Sequence, residues 1–305
     1  MKQLPTLTIG IPAHNEAGNI RQLLQSIFTQ SHRNFALKKI VVSSDGSTDK
    51  TVEYVRQLAK KHSQIEVIEN PTRRGIARGV NQLLARSTSN IFVLLNADIV
   101  LSDRSCIEKL IEPILKDQAD LTATSLIEAS TSSIFEQSLQ VSMQLKNVLF
   151  ETVNGGNNIY TCHGPARAFS KKLYKQFHFP SSSGDDMFSY LYCLKHGFRF
   201  QYVKSASVTY KLPSTMHDYL SQSERFYTSK QLFNTQFGKE FVQDALNISP
   251  EDYLRAALKS LPIVLRHPTR VAYYIALRLK IMSSQRLRIE TDSWDAAATS
   301  KVLHL

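Results

Sequence analysis

The chain is poor in cysteine: Cys106, Cys162 and Cys193 are the three in 305 residues, odd in number and widely spaced. That excludes a disulfide framework and a cysteine metal cluster, and it suits a reducing compartment. No stretch approaches the ~18 uninterrupted apolar residues that a membrane span needs. Met1 to Pro5 lead straight into a strand-like run that leaves no room for a secretory signal. The expectation is a cytoplasmic protein, or one peripheral on the cytoplasmic face of a membrane. Acidic residues are also short, 26 against 37 basic, for a formal charge of +11. Such an excess suggests polyanionic company: nucleic acid, an anionic membrane or phosphorylated substrates. Hydrophobic (42%) and charged (21%) fractions are ordinary for a globular chain, so disorder and fibrous classes are set aside.

What is present is a rhythm. Strand-like runs at residues 7–12, 40–42, 65–68 and 91–95 alternate with helical periodicity at 20–28, 51–61, 76–86 and 106–115. Apolar strands alternating with helices predict an α/β protein with a mostly parallel sheet covered on both faces. The second half predicts a long helix at 134–150, a strand within 160–170 and a helix at 171–176. A loop at 181–186 opens a helix through 194, strands follow at 198–203 and 206–210, and a helix at 215–237. Past Gly238 the pattern is helical only.

In such a sheet ligands bind beyond the carboxyl ends of the strands. Polar clusters sit there: Ala13-His14-Asn15-Glu16, Ser44-Asp45-Gly46-Ser47-Thr48-Asp49 and Asn96-Ala97-Asp98. Each alone reads equally as a turn and helix cap. Asp45 nevertheless puts a carboxylate where a ligand's N–H groups could be read. Asp98 puts another at the tip of a buried strand, which favours pairing or a metal. Mg²⁺ or Mn²⁺ needs as little as one protein carboxylate when a diphosphate supplies the other oxygens. Gly184-Asp185-Asp186 opens a helix, and adjacent carboxylates raise each other's pKa, as suits a general base. Gln222 and Arg225 share a helix face.

Taken in order, Ile9–Glu16, residues 40–49, residues 74–81 (Arg-Gly-Ile-Ala-Arg-Gly-Val-Asn), residues 95–98 and Asp185-Asp186 resemble the family 2 glycosyltransferases with the GT-A fold. The resemblance covers residues 5–130 and extends to about 235. It implies a Rossmann-like GT-A domain over 1–240, with a nucleotide-sugar half (about 5–130) and an acceptor half (about 131–240). A basic helical extension at 241–305 completes the chain. It implies that Pro12, Ala13, Asn15, Glu16 and Asp45 hold the donor nucleotide, bordered by Arg74, Arg78 and Asn81. Asn96 and Asp98 match the Asp-x-Asp motif that binds ribose and a divalent cation, with Asp98 as metal ligand. Asp186 matches the base that deprotonates the acceptor hydroxyl, preceded by Asp185. Gly164 lies in the acceptor-side strand, and Gln222, Arg225 and Phe226 resemble the Gln-x-x-Arg-Trp motif.

The departures are specific. Ser44 and Asn96 each replace an aspartate, Asp185 replaces a glutamate and Phe226 replaces a tryptophan. Tyr210 stands near the place of a metal-shell histidine, which His217 substitutes poorly. The implied activity is inverting transfer from a nucleotide-sugar, a UDP-sugar first, to a glycan or lipid-linked acceptor in cell-surface polysaccharide or glycolipid synthesis. The alternatives are a catalytically silent relative, which Asn96 keeps open, and a sugar nucleotidyltransferase, for which residues 12–18 lack the Gly-rich phosphate loop.

Eight basic residues and no acidic one fall in 253–289, leaving 29 basic against 26 acidic elsewhere. On a helical wheel Val271, Ala272, Ile275, Ala276, Leu279 and Met282 cluster opposite Arg270, Arg278 and Lys280. That reads either as an interfacial helix on an anionic membrane or as a helix packed on the domain. It argues against nucleic acid, which needs basic and aromatic residues interleaved on one surface.

Overall fold

The computed structural model describes residues 3–180 and 184–285, with the side chains of 223–231 and 282–285 left out. Its centre is an eight-stranded sheet formed by β1 (Thr6–Ala13), β2 (Ala36–Asp45), β3 (Ile65–Asn70), β4 (Ile91–Leu95), β5 (Ile99–Leu101), β6 (Leu121–Glu128), β7 (Ala166–Ser170) and β8 (Phe200–Tyr210). The spatial order is β3-β2-β1-β4-β7-β6-β8-β5. Parallel pairing joins β1 to β2 and β4, β2 to β3, and β6 to β8; β7 runs antiparallel to β4 and β6, and β5 to β8.

Helices α1 (Ile20–Phe28), α2 (Thr51–Ala59), α3 (Ile76–Arg86) and α4 (Cys106–Leu115) connect the first half. All five β4 residues are buried, because both faces of the sheet are covered. Ile91, Val93 and Leu95 join a core with α1 and α4, whereas Phe92 and Leu94 pack with α3 on the other side. The apolar stripe of α1 (Ile20, Leu23, Leu24, Ile27) is wholly buried, as its spacing requires.

The second half carries α5 (Ile134–Thr152), the short α6 (Lys171–Tyr174), α7 (Asp185–Lys195), α8 (Met216–Phe237), α9 (Lys239–Leu246), α10 (Pro250–Arg266) and α11 (Pro268–Gln285). Here the sequence reading needs correction. Strands β5 and β6 were not expected: β5 has three residues, and β6 buries threonines such as Thr122, whose hydroxyl donates to the Leu110 carbonyl at 2.7 Å. The two runs at 198–210 are one strand, β8, broken by a register shift against Thr124/Ser125. Residues 159–161 form a 3₁₀ turn, and only Ala166–Ser170 is strand. The three cysteines are free and buried.

Candidate active site

Strands β2, β1 and β4 are adjacent and parallel, so their carboxyl ends open on one rim. There the polar loops hold one another. Asn15 adopts a left-handed φ of 54°, which asparagine tolerates better than most residues. Its N–H donates to Ser47 Oγ at 3.1 Å, and its Oδ1 accepts the Thr48 N–H at 2.8 Å. The Glu16 N–H donates to Thr51 Oγ1 at 2.7 Å, while its carboxylate accepts from Asn19 Nδ2 at 2.9 Å. Pro12 and Ala13 end β1 beneath this network. Ser44, buried, bonds Ser47 Oγ at 2.9 Å.

Asp45 is nearly buried, and both of its oxygens accept main-chain N–H groups, from Arg74 and Gly75, each at 2.8 Å. The N–H groups it reads are thus the chain's own, and they clamp the 72–75 loop beside β2. Gly46 makes that approach possible: at φ 64° a Cβ would meet Arg73 N at 2.5 Å. Arg74 and Arg78 leave their side chains exposed by this rim. Asn81 is engaged elsewhere. Its amide bonds both the N–H and the carbonyl of Phe179 at 2.9 Å, which straps residues 177–180 to α3.

From the end of β4 the rim reaches the second half of the site. The Asn96 N–H donates to the Pro165 carbonyl at 2.9 Å. A Cβ on the next residue back, Gly164, would stand 3.6 Å from Asp186 Oδ2. The loop carrying Asp98 and the carboxylate of Asp186 are therefore joined through two residues of one turn. Asp98 precedes Ile99, which pairs with Tyr210 on β8. His217 is exposed beside Asp218, at 3.6 Å.

Beneath Asp186 lies Arg167, which is fully buried in β7. Its guanidinium donates to the Asp185 carboxylate, to the Asp185 carbonyl at 2.7 Å and to Ser189 Oγ at 2.6 Å. Asp185 is thereby fixed as a partner of Arg167 at the start of α7. An arginine flanked by alanines in the buried strand Ala166–Ser170 is the sequence signal that could have found this pair, since a buried charge needs a partner. Burial, then the Asp185 charge, raises the Asp186 pKa, and Arg167 opposes the rise. The Asp186 Oδ1 accepts the Met187 N–H at 2.7 Å.

Asp186 also lines a cleft of about 540 Å³ bounded by α5, α8 and α11, a size ordinary for ligand sites. Lys146, His163, Tyr210, Tyr219, Gln222 and Arg278 give it polar groups. Burial lowers the His163 pKa to about 4, so the ring is neutral at neutral pH. Of the proposed Gln-x-x-Arg-Trp-like set, Gln222 lines the cleft, whereas the Arg225 and Phe226 side chains lie outside the described residues. Lys146, His163 and Arg278 were not anticipated as site residues. Arg278 reaches the cleft because α11 packs on α5 through Tyr274, Leu277 and Ile281. The expected apolar face is turned outward instead: Ile275 and Leu279 are exposed. Arg286 and Arg288 lie outside the described residues.

On α10, Leu254, Leu258, Leu261 and Leu265 form one stripe, 51–77% exposed, opposite the buried Ala256 and Ser260. No helix among the described residues is long and apolar enough to cross a membrane. Nor does any group of three His, Cys, Asp or Glu among them make a metal cage. Asp98 with Asn96 suits a divalent cation whose other ligands are donor phosphates and water, because Mg²⁺ keeps several such oxygens.

Known proteins resemble this chain in sequence and in fold. The model of glycosyl transferase family 2 matches residues 8–177. An uncharacterized glycosyltransferase of Haemophilus influenzae is 27% identical over 128 residues, which is 42% of this chain and 38% of that protein's own length. Among solved structures, mannosyltransferase PcManGT from Pyrobaculum calidifontis, in complex with GDP-Man and Mn²⁺, superposes with a TM-score of 0.60 at 18% identity, covering 95% of this chain and 77% of that one. S. aureus TarS 1-349 in complex with UDP gives 0.57 at 16% identity, covering 95% of each chain. At such identities the two structures speak for the fold, a GT-A-like sheet flanked by helices. With more than half of its length matched by the family model, the chain belongs to glycosyl transferase family 2.

Proposed function

We propose that this family 2 glycosyltransferase moves a sugar with inversion from a nucleotide-sugar, a UDP-sugar first, to a hydroxyl of a glycan or lipid-linked acceptor of cell-surface polysaccharide or glycolipid synthesis. The observation that carries the reading is the junction of the Asp98 loop with Asp186 through Asn96, Pro165 and Gly164. The base must reach the acceptor hydroxyl while that oxygen attacks the anomeric carbon of the donor, and that junction puts the two carboxylate loops side by side. The nucleotides held by PcManGT and TarS support the donor class.

The rim formed by Pro12, Ala13, Asn15, Glu16 and Asp45 receives the nucleotide, with Arg74 and Arg78 beside the phosphates. Asp98, with Asn96, would hold Mg²⁺ or Mn²⁺ together with the donor diphosphate. When bound, the ion supplies positive charge to the leaving diphosphate. Asp186 takes the acceptor proton as the hydroxyl attacks the anomeric carbon from the face opposite that diphosphate. A raised pKa brings this base nearer the working pH, where proton transfer is most effective. Arg167 acts as a positioning residue, since it holds Asp185 and the start of α7.

Asp186→Asn should reduce transfer by about 10²–10⁴-fold while UDP still raises the melting temperature in the presence of Mn²⁺. Near-native turnover by the folded variant would remove Asp186 from the role of base. Donor hydrolysis with and without Mn²⁺ separates an active enzyme from a silent relative.

The enzyme works at an anionic membrane surface, on which the α10 leucine stripe and Ile275 and Leu279 of α11 lie. Support comes from the exposure of these residues and from Arg255, Lys259, Arg266 and Lys280 on the same two helices. Buried apolar area and charge attraction add together at such a surface. Leu258→Ser/Leu265→Ser should abolish flotation with anionic vesicles and change stability by no more than about 0.5 kcal/mol, as these side chains are exposed. Flotation equal to that of the native chain would refute the assignment.

A further inference from the structure

One turn touches both carboxylate loops and also presents an imidazole to the cleft. It runs over residues 162–165, between the 3₁₀ turn at 159–161 and β7. Pro165 accepts the Asn96 N–H through its carbonyl at 2.9 Å, and a Cβ on Gly164 would stand 3.6 Å from Asp186 Oδ2. His163, the residue before, is half-buried and lines the same cleft as Asp186. Packing orients its ring. Tyr202, whose hydroxyl donates to Glu151 at 3.2 Å, meets it nearly at a right angle, with centroids 6.2 Å apart. Among the described residues neither ring nitrogen of His163 has a hydrogen-bond partner. With its pKa pushed down to about 4 by burial, the ring is too weak a base to replace Asp186 at neutral pH. A neutral imidazole keeps one N–H donor and one lone-pair acceptor. Without partners in a mostly apolar cleft, these carry a desolvation cost that a bound polar group removes. A hydroxyl complements such an edge, because it too donates and accepts, whereas an ionised carboxylate only accepts.

We propose that His163 selects the acceptor: its ring hydrogen-bonds a hydroxyl of the acceptor sugar next to the one that Asp186 deprotonates. The inference rests on the reading of Asp186 as the base and adds a specificity-determining residue to it. The placement follows from the turn. Because Gly164 lies against Asp186, the side chain one position back stands beside the place of the attacking oxygen, where a pyranose carries its neighbouring hydroxyl. An acceptor lacking that hydroxyl leaves the imidazole unpartnered again. A site built to bond a hydroxyl rejects the analogue without it in this way.

Titration of the full-length protein with UDP and Mn²⁺ present, followed by saturation-transfer NMR, tests this. The probes are the methyl β-pyranosides of glucose, galactose, mannose and N-acetylglucosamine, then the monodeoxy forms of whichever binds most tightly. At least one glycoside should bind in the millimolar range. His163→Phe keeps a ring against Tyr202, and it should weaken that glycoside about three- to tenfold, the worth of one hydrogen bond, at an unchanged melting temperature. One monodeoxy form should lose the same factor on the native chain and nothing further on His163→Phe, since both changes remove one bond. His163→Asn or His163→Gln, whose amide stands in for one ring nitrogen, should restore binding of the parent glycoside. Equal binding of that glycoside by the native chain and His163→Phe would overturn the proposal. So would deoxy losses that all add to the loss in the variant. Binding needs no turnover, so the Asp186→Asn assay judges the base separately. A UDP response with no glycoside bound rejects the role of His163 alone, and no UDP response rejects the donor reading.

Discussion

The polar rim at the ends of β1, β2 and β4 and the cleft beside Asp186 solve the problem of holding polar groups in opposite ways. On the rim, bonds between side chain and main chain tie separate loops together: Asn15 Oδ1 accepts the Thr48 N–H, Asp45 accepts the Arg74 and Gly75 N–H groups, and Thr51 Oγ1 accepts the Glu16 N–H. The loops are fixed before any nucleotide arrives. Around the cleft, charges are buried instead: Arg167 against Asp185 behind Asp186, and Lys146 in the cleft wall. Loops already bonded to one another need little further ordering, whereas buried charges shift the proton affinity of their neighbours.

Breaking the buried network should have the largest effect. Arg167→Met leaves Asp185 without its cation next to a second carboxylate, and should cost about 3–5 kcal/mol in urea denaturation. A loss under 1 kcal/mol would mean that the pair is not a structural element. Asp45→Ala comes next. It strands two main-chain N–H groups that now donate at 2.8 Å, at a cost of about 1.5–3 kcal/mol, and should weaken UDP binding with it. Stability loss with unchanged UDP affinity would show that the clamp on the 72–75 loop serves the fold only.

The smallest effect is one of pH, and it has opposite signs in the two halves. In the first half of the chain, the Arg33 hydrogen bond holds the buried Glu108 carboxyl at about 2, below its ordinary 4.5. A depressed folded-state pKa adds stability above 4.5 that is lost as pH falls toward 2. Asp186 is raised, so the folded state holds the extra proton and its contribution fades as pH rises above the ordinary 3.8 through the folded value. Glu108→Gln should flatten the acid limb of the denaturation free energy. Asp186→Asn should gain stability relative to the native chain with increasing pH. Parallel profiles for Asp186→Asn and the native chain would mean that Asp186 is not perturbed.

Much of the first half of the chain was legible because its signals are local. A strand of five buried apolar residues, a 3.6-residue stripe on α1 and turn chemistry at 45–49 each occupy fewer than a dozen positions. The order of the loops followed from strand–helix alternation alone. Asn81 shows the limit of this: its neighbourhood in sequence pointed to the nucleotide, yet Phe179, nearly a hundred residues on, takes its amide. Short β5, threonine-bearing β6 and the continuity of β8 through residues 204–205 escaped notice because long-range pairing, not periodicity, makes them strands.

By itself the sequence determined the alternating architecture, the rim of Asn15, Asp45 and Asp98, the doublet Asp185-Asp186 and the place of the excess charge. It also determined that the chain past Gly238 would be helical, as it is through Gln285, and that basic residues would dominate there. Only the tertiary structure decided which carboxylate of the doublet is held by Arg167 and which faces the cleft. It also decided that α11 sets Leu277 and Ile281 against the domain, points Arg278 inward and leaves Ile275 and Leu279 exposed. The reason is physical. A helix with apolar residues on more than one face has no preferred orientation until another surface buries one of them, and here that surface is α5.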